Sequence, residues 1–209
     1  MKGVLLYAWT LALALVVAAP LQSSAQTTPK ETSGKMASSD TKFMTEAARG
    51  NMAEVELGRL ATERGSSDAV KQFGQRMVSD HGKANDELKQ LAQQKGVTLP
   101  TDLDSKHRKT MDRLSKLSGA EFDKAYAKDM VRDHDKDVKE FQREAQKAHD
   151  ADLKSWAGKT LPVLQEHQKQ AREMSASVGA SGRMGSKTKG STSTGGSASP
   201  ATAPPASTR

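Results

Sequence analysis

Apolar side chains recur every three or four residues through most of the chain between Asp40 and Ala176. This spacing places them on one face of an α-helix, whereas a half-buried strand would show a period of two. The first face of this kind carries Phe43, Ala47, Gly50, Glu54, Leu57 and Ala61. No part of this region alternates as a strand would, so the pattern predicts an all-α fold.

Turn-forming residues divide the pattern into five predicted helices. The divisions fall at Gly65–Asp68, Gly96, Pro100, Ser118 and Asp150. Two of the helices approach thirty residues, which corresponds to about 45 Å each. Long helices joined by short turns pack as antiparallel neighbours around a shared core. We therefore expect residues 40–176 to form an antiparallel four-helix bundle with an additional short helix.

One nine-residue segment occurs twice, as Met77–Asn85 (MVSDHGKAN) and as Met130–Val138 (MVRDHDKDV). A repeat of this kind indicates two equivalent helical units that share one core. It places His81 and His134 at corresponding positions, each near the middle of its helix. We expect both imidazoles to be buried to a similar degree and each to have a hydrogen-bond partner.

Two further polar residues reach the same level of the predicted bundle. Counting from the turn at Asp150 brings His167 close to the height of His134, and Glu54 lies about one turn from the level of His81. Helical bundles build metal sites from such side chains on facing helices. The predicted metal ligands are Glu54, His81, His134 and His167, with Met77, Met130 and Asp123 as accessory positions. Copper, iron and zinc are the candidate ions.

The same residues also have a structural interpretation. A methionine at helical spacing is most often core filler, and a buried histidine more often hydrogen-bonds to a neighbour than binds metal. Ferritin-type di-iron sites use Glu-x-x-His twice, but Val78, Val131 and Leu164 stand three residues before the three histidines. A carboxylate-rich ferroxidase centre is therefore not expected.

Catalytic motifs and cofactor-binding motifs are absent from the sequence. It has no cysteine, no Gly-x-Ser-x-Gly segment and no phosphate-binding glycine loop. We assign no catalytic residue and no cofactor-binding residue. The leading hypothesis is a non-enzymatic, exported helical-bundle protein of the cell envelope, with a role in stress tolerance or binding. The alternative is a metal-binding or metal-dependent redox protein that uses the His and Glu cluster.

The first 25 residues have the form of a signal peptide. Lys2 precedes an apolar run from Val4 to Ala19, and the small residues Ser23–Ala25 follow. Because the chain has no cysteine, it cannot carry the lipidated cysteine of a lipoprotein. We expect a periplasmic or secreted protein with no membrane span after cleavage. Association with the outer membrane is the alternative location.

Charge is distributed unevenly along the chain. The formal net charge is +7, but residues 40–176 hold 25 basic and 24 acidic residues. This balance argues against specific nucleic-acid binding, which needs a clustered basic face.

Residues 26–39 are predicted to be a flexible linker. Residues 177–209 carry four cations and no carboxylate in a sequence rich in Gly, Ser, Thr, Ala and Pro.

That basic segment, 177–209, is predicted to be a disordered tail because it can bury little apolar surface. Its cations could attract anionic polymers of the envelope, such as lipopolysaccharide or extracellular DNA, weakly and in a salt-dependent way. An inert solubilising extension is the alternative.

Several of these residues together resemble one known family. They are Phe73, the doubled Met-Val-x-Asp-His at 77–81 and 130–134, Gly96–Val97 with Leu99–Pro100, Gly119, Phe122–Asp123, Tyr126, Leu161–Pro162 and His167. The chain is similar to the bacterial exported proteins of the domain-of-unknown-function 4142 family, which are often labelled predicted outer membrane proteins. The resemblance covers residues 40–176. It implies a ferritin-like bundle and an envelope location, and it implies no particular reaction.

Overall fold

Five α-helices and no strand make up the part of the chain that the structure, a computed structural model, describes: residues 36–188, with side chains through residue 180. The helices are α1 (Ser38–Arg64), α2 (Asp68–Lys95), α3 (Ser105–Leu114), α4 (Gly119–Lys147) and α5 (Ala151–Thr188). The prediction of an all-α fold is confirmed. Within these residues, no helix combines the length and the apolar character that a membrane span requires.

Hydrogen bonds at the two ends of the bundle define its topology. At one end, Asp123 at the start of α4 accepts a hydrogen bond from the backbone N–H of Ser66, in the α1–α2 turn, at 2.9 Å. At the other end, Asp40 at the start of α1 accepts one from the backbone N–H of His149, in the α4–α5 turn, at 2.9 Å. Helix α4 therefore begins where α1 ends and runs antiparallel to it.

The connection from α2 to α4 crosses the length of the bundle. Nζ of Lys95, the last residue of α2, lies 2.8 Å from the carboxylate of Asp150, which directly precedes α5. Helix α2 thus ends at the end of the bundle opposite to the start of α4, and residues 96–118 must span the distance between them. This segment carries α3, while the four long helices pack as the pairs α1–α2 and α4–α5. The architecture is a ferritin-like antiparallel four-helix bundle with one additional short helix, as predicted.

Local sequence signals account for several of the helix ends. The Ser67 hydroxyl accepts a hydrogen bond from the Val70 N–H at 3.3 Å, and so caps the start of α2. Gly96 ends α2 in the left-handed conformation with φ of 66°, as expected for a glycine that follows the last helical residue. Asp104 caps α3 by accepting from the His107 N–H at 2.9 Å.

The core consists of two apolar clusters separated by a layer of polar residues. One cluster contains Phe43, Leu88, Phe141, Trp156 and Leu164, and the other contains Leu57, Phe73, Met77, Tyr126, Met130 and Ala171. Each of the four long helices has buried polar residues between a member of the first cluster and a member of the second. These residues are Asn51, Glu54, His81, Asn85, His134 and His167. The bundle therefore places its polar layer near mid-height.

The ends of the bundle differ from the predicted boundaries. Helix α1 begins at Ser38, two residues before Asp40, and Met36 already packs against the core. Helix α5 continues through Thr188, so residues 177–188 are helical where a disordered tail was predicted. Extending a formed helix needs no new nucleus, and Val178 still contacts the apolar core. The predicted signal peptide (residues 1–25), the predicted linker at residues 26–35 and residues 189–209 lie outside the described residues.

Candidate metal centre

The three mid-bundle histidines converge on one point. One ring nitrogen from each of His81, His134 and His167 lies within 4.8 Å of the others. The ring centroids are 5.7 Å apart for His81 and His134, 5.3 Å for His81 and His167, and 5.5 Å for His134 and His167. The exposed fractions of these residues are 3, 0 and 1 %, respectively. Helices α2, α4 and α5 thus each contribute one imidazole to a single buried cluster.

Each imidazole is held by a hydrogen bond through one of its nitrogens. Nδ1 of His81 lies 3.0 Å from Oδ1 of Asn51 on α1. Nδ1 of His134 lies 2.9 Å from the carbonyl oxygen of Met130, one turn earlier on α4. These partners are acceptors, so in both rings Nδ1 carries the proton and donates it. As the repeat predicts, His81 and His134 are similarly buried and each has a hydrogen-bond partner. Both rings use Nδ1 for this bond.

His167 uses its other nitrogen. Its Nε2 lies 2.8 Å from Oδ2 of Asp80 and donates to that carboxylate. Burial raises the pKa of Asp80, but hydrogen bonds from His167 and Arg76 outweigh burial and lower the pKa below its usual value. Asp80 therefore stays ionised and fixes the tautomer of the buried ring.

The remaining nitrogen of each ring has no hydrogen-bond partner among the residues that the structure describes. These nitrogens are Nε2 of His81, Nε2 of His134 and Nδ1 of His167, and all three are buried. An unpaired polar group in a protein core costs roughly 1–3 kcal/mol. Three such groups on adjacent side chains therefore require a compensating interaction.

All three histidines are neutral near pH 7. Burial, followed by the proximity of the other two rings, lowers the pKa of His81 well below its ordinary value. Burial and His167 lower the pKa of His134 to about 4. Burial also lowers the pKa of His167, although the Asp80 carboxylate partly opposes it. The unpaired nitrogens thus present free lone pairs, the form in which histidine binds metals.

The cluster fits a transition-metal ion in chemistry and in size. Imidazole nitrogens bind such ions at about 2.0–2.1 Å, and tetrahedral ligands of one ion are then roughly 3.4 Å apart. Nitrogens within 4.8 Å of one another reach this geometry if each moves inward by at most about 0.8 Å. Side-chain rotation can supply a movement of that size.

Glu54 is buried in the same layer but does not belong to the group of converging ligand atoms. Within the described part of the chain, its Oε2 has no hydrogen-bond partner, and the hydroxyl of nearby Tyr126 has none either. Burial, and then the negative charges of Asp133 and Asp137, raise the pKa of Glu54 well above its ordinary value. Glu54 thus lies beside the histidine cluster as a carboxyl group that favours its protonated form.

The predicted accessory residues have structural roles. Met77 and Met130 are fully buried in the second apolar cluster. Asp123 accepts hydrogen bonds from the Ser66 and Ser67 backbone and from the Ser66 hydroxyl. It lies eleven residues, or about 16 Å along the helix, from His134. Asp123 therefore closes the end of the bundle and lies too far away to contribute a ligand.

Asn51 was not among the predicted site residues, although its position carried a signal. It lies four residues after Ala47 and three before Glu54, which places it on the apolar face of α1. An amide on such a face needs a buried partner, and the structure supplies His81.

Comparison with known proteins identifies one family. The sequence matches the family described as "Domain of unknown function (DUF4142)" over residues 25–174. No curated protein matches the chain.

Two crystal structures of DUF305 proteins have a similar fold. A DUF305 fragment from Deinococcus radiodurans is 13 % identical in sequence and superposes with a TM-score of 0.59. The match covers 70 % of this chain and 99 % of the fragment. A DUF305 protein from Streptomyces coelicolor, described as a candidate secreted protein, shares 12 % identity with a TM-score of 0.58. The match covers 67 % of this chain and 93 % of the Streptomyces coelicolor protein. At such identities, the similarity concerns the fold alone.

Proposed function

This chain belongs to the DUF4142 family of domains of unknown function, and we propose that it is an exported, non-enzymatic envelope protein that binds a transition-metal ion. The proposed ligands are His81, His134 and His167. One observation carries the proposal: each ring is anchored through one nitrogen and leaves the other buried and unpaired, in a cluster where one nitrogen from each ring lies within 4.8 Å of the others. Metal-binding histidines have this arrangement, because a second partner orients the ring and fixes its tautomer.

The donor set favours ions of intermediate softness. Three neutral imidazoles suit zinc and copper, and they also accept iron. The Asp80–His167 pair corresponds to the carboxylate–histidine arrangement that raises the basicity of a metal ligand. The negative charge of Asp80 also offsets part of the charge that a divalent ion would bring into the core. Glu54 stands beside this ligand set rather than within it.

Binding without turnover is the simpler assignment for this centre. The sequence carries neither a nucleophile motif nor the doubled Glu-x-x-His of ferritin-type sites. Export is supported by the signal-like residues 1–25 and by the description of the Streptomyces coelicolor neighbour as a candidate secreted protein.

Metal content measures the main claim directly. The full chain, prepared without a histidine tag, is equilibrated with zinc, copper or iron, dialysed, and analysed for bound metal. We expect about one ion per chain, together with a higher melting temperature, because a ligand that binds only the folded state stabilises it. His81→Ala, His134→Ala and His167→Ala should each lose the bound ion.

His149→Ala is the matched control, because this histidine lies at the surface, with 72 % of its side chain exposed. Equal metal content in this control and in the three cluster variants would refute the centre. Circular dichroism on every variant verifies that the helices remain folded. Fractionation of cells that produce the chain with or without residues 1–25 tests export, and accumulation of both forms in the cytoplasm would contradict it.

A further inference from the structure

A pocket at the surface of the bundle leads to one edge of the histidine cluster. It lies between α1, α3 and α4 and has a volume of about 260 Å³, enough for several water molecules. Of the three clustered histidines, only His81 lines it. The pocket therefore approaches the proposed centre from one side.

Acidic groups predominate in the pocket wall. Its carboxylates are Glu46, Glu54, Asp104, Asp133, Asp137 and Glu140, and its permanent cations are Arg49, Lys106 and Lys136. A concave surface with an excess of one charge concentrates ions of the opposite charge. The wall therefore favours small cations over anions.

The inner part of the wall contains a carboxyl group without a partner. Glu54 is only 4 % exposed, it forms no ion pair among the described residues, and its Oε2 accepts no hydrogen bond. The outer carboxylates are partly neutralised: Glu140 lies 2.8 Å from Lys136, and Asp137 lies 3.9 Å from it. The inner end of the pocket, beside His81, thus offers an unpaired carboxyl oxygen, and an entering cation would replace the proton that this carboxyl group otherwise holds.

Crowding among the carboxyl groups of the wall also favours a cation in the pocket. Burial, together with the charges of Asp133 and Glu140, raises the pKa of Asp137 to about 7, although Lys136 opposes the shift. Glu54 experiences the charges of Asp133 and Asp137 in turn. A cation in the pocket would relieve this repulsion.

We propose that this pocket is a second cation site, an antechamber in which a hydrated divalent transition-metal ion binds against Glu54 and Asp137 before it reaches His81. The inference rests on the proposed three-histidine centre. In the antechamber, the ion keeps water ligands, and the carboxylate oxygens contact it directly or through water. In the centre, the imidazole nitrogens replace the water. Glu54 is a positioning residue for the ion on its route and not a ligand in the final centre.

The distinction between a route and a ligand can be measured. A group on the route changes the rates of loading and release by the same factor and leaves the final affinity unchanged. A ligand of the centre changes the affinity itself. Stopped-flow mixing of the metal-free full chain with cobalt(II), followed by visible absorption of the histidine-bound ion, gives the loading rate. Equilibrium titration gives the dissociation constant.

We expect Asp137→Asn to slow cobalt loading about tenfold, the low end of the gains that charge steering provides. Glu54→Gln should slow it by a similar factor, because an amide cannot give up a proton to an incoming cation as the carboxyl group of Glu54 can. The dissociation constant should change less than about twofold. Added salt should slow the wild-type chain more than Asp137→Asn, because salt screens the attraction. Glu87→Gln, at an exposed position on α2 outside the pocket, should load at the wild-type rate.

Two results would overturn the antechamber while leaving the centre in place. One is a loading rate in Glu54→Gln equal to that of Glu87→Gln. The other is a weaker affinity with an unchanged loading rate, which would make Glu54 a ligand. If the wild-type chain binds no cobalt, zinc, copper or iron at equilibrium, the three-histidine centre itself fails, and the antechamber fails with it.

Discussion

His167 of α5 donates a hydrogen bond through Nε2 to the carboxylate of Asp80 on α2, at 2.8 Å. The contact joins two helices that belong to different pairs of the bundle. Because Asp80 directly precedes His81, α2 contributes both a ring of the cluster and the group that orients another ring. The adjacent residues Asp80 and His81 therefore have two roles in the proposed centre. His81 is one of its ligands, and Asp80 orients a second ligand, His167.

Replacing Asp80 by asparagine should weaken metal binding without removing it. An amide oxygen still accepts the hydrogen bond from His167, but it lacks the negative charge that raises the basicity of the ring. Loss of such an outer partner typically costs 10–100-fold in affinity. Competition with a chelator of known affinity measures the change. Asp86→Asn, at an exposed residue of α2 paired with Lys89, is the control and should bind as the wild type does. Equal affinities in the two variants would contradict the role of Asp80.

The metal-free chain should lose stability as the solution is acidified, and His134 should account for part of the loss. The pKa of His134 is about 4 in the folded protein and about 6.5 in the unfolded chain. Between these values the unfolded state binds more protons, so the contribution of His134 is complete above pH 6.5 and disappears toward pH 4. The difference corresponds to roughly 3 kcal/mol.

His134→Phe removes the titrating group and keeps a ring in contact with Phe73. Urea denaturation of both chains, with a chelator present, should show a smaller decline in unfolding free energy for the variant between pH 6.5 and 4. Parallel pH profiles would show that His134 is not held neutral by its surroundings.

The helical fold and the level of the three histidines were predictable because both depend on short-range regularities. A period of 3.6 residues identifies the buried face of each helix, and the short turns fix antiparallel neighbours. A residue at the midpoint of a helix stays at mid-height whichever way the helix runs. For this reason, counting residues was enough to place His81, His134 and His167 in one layer.

The partners of the rings were not predictable in the same way. Whether Asn51 or Glu54 meets His81 depends on the rotation of α1 about its axis, which periodicity defines only to within the width of the buried face. The prediction for Asp123 failed for a different reason. Its position on the inner face was right, but at the end of a bundle the unpaired N–H groups of a turn compete for a carboxylate.

Glu54 should lower the stability of the metal-free protein near neutral pH. Its pKa is raised well above the ordinary value by burial and by neighbouring carboxylates. The folded state therefore binds a proton that the unfolded chain has released, and stability falls as pH rises above about 4.5. Glu54→Gln keeps the shape and removes the titration, so its melting temperature should exceed that of the wild type increasingly from pH 5 to pH 8. A constant difference across this range would contradict the assignment, and Glu87→Gln should show no difference at any pH.

Helices α1 and α2 approach each other closely where Gly58 and Gly74 face each other, and this contact should tolerate no side chain. A Cβ atom on Gly58 would lie 2.5 Å from the carbonyl oxygen of Gly74, and one on Gly74 would lie 2.7 Å from that of Gly58. Both obstacles are backbone atoms, so the helices themselves would have to separate. We expect Gly58→Ala and Gly74→Ala each to destabilise the fold by about 1–3 kcal/mol, the usual cost of overpacking.

Gly82→Ala, at a site on α2 where an added Cβ meets nothing within 4 Å, should instead stabilise the fold by about 0.5–1 kcal/mol through helix propensity. The double variant should cost less than the sum of the two single variants, because one separation of the helices relieves both clashes. Thermal unfolding of the four variants measures these differences, and a Gly58→Ala chain as stable as Gly82→Ala would show that the two helices do not meet at this point.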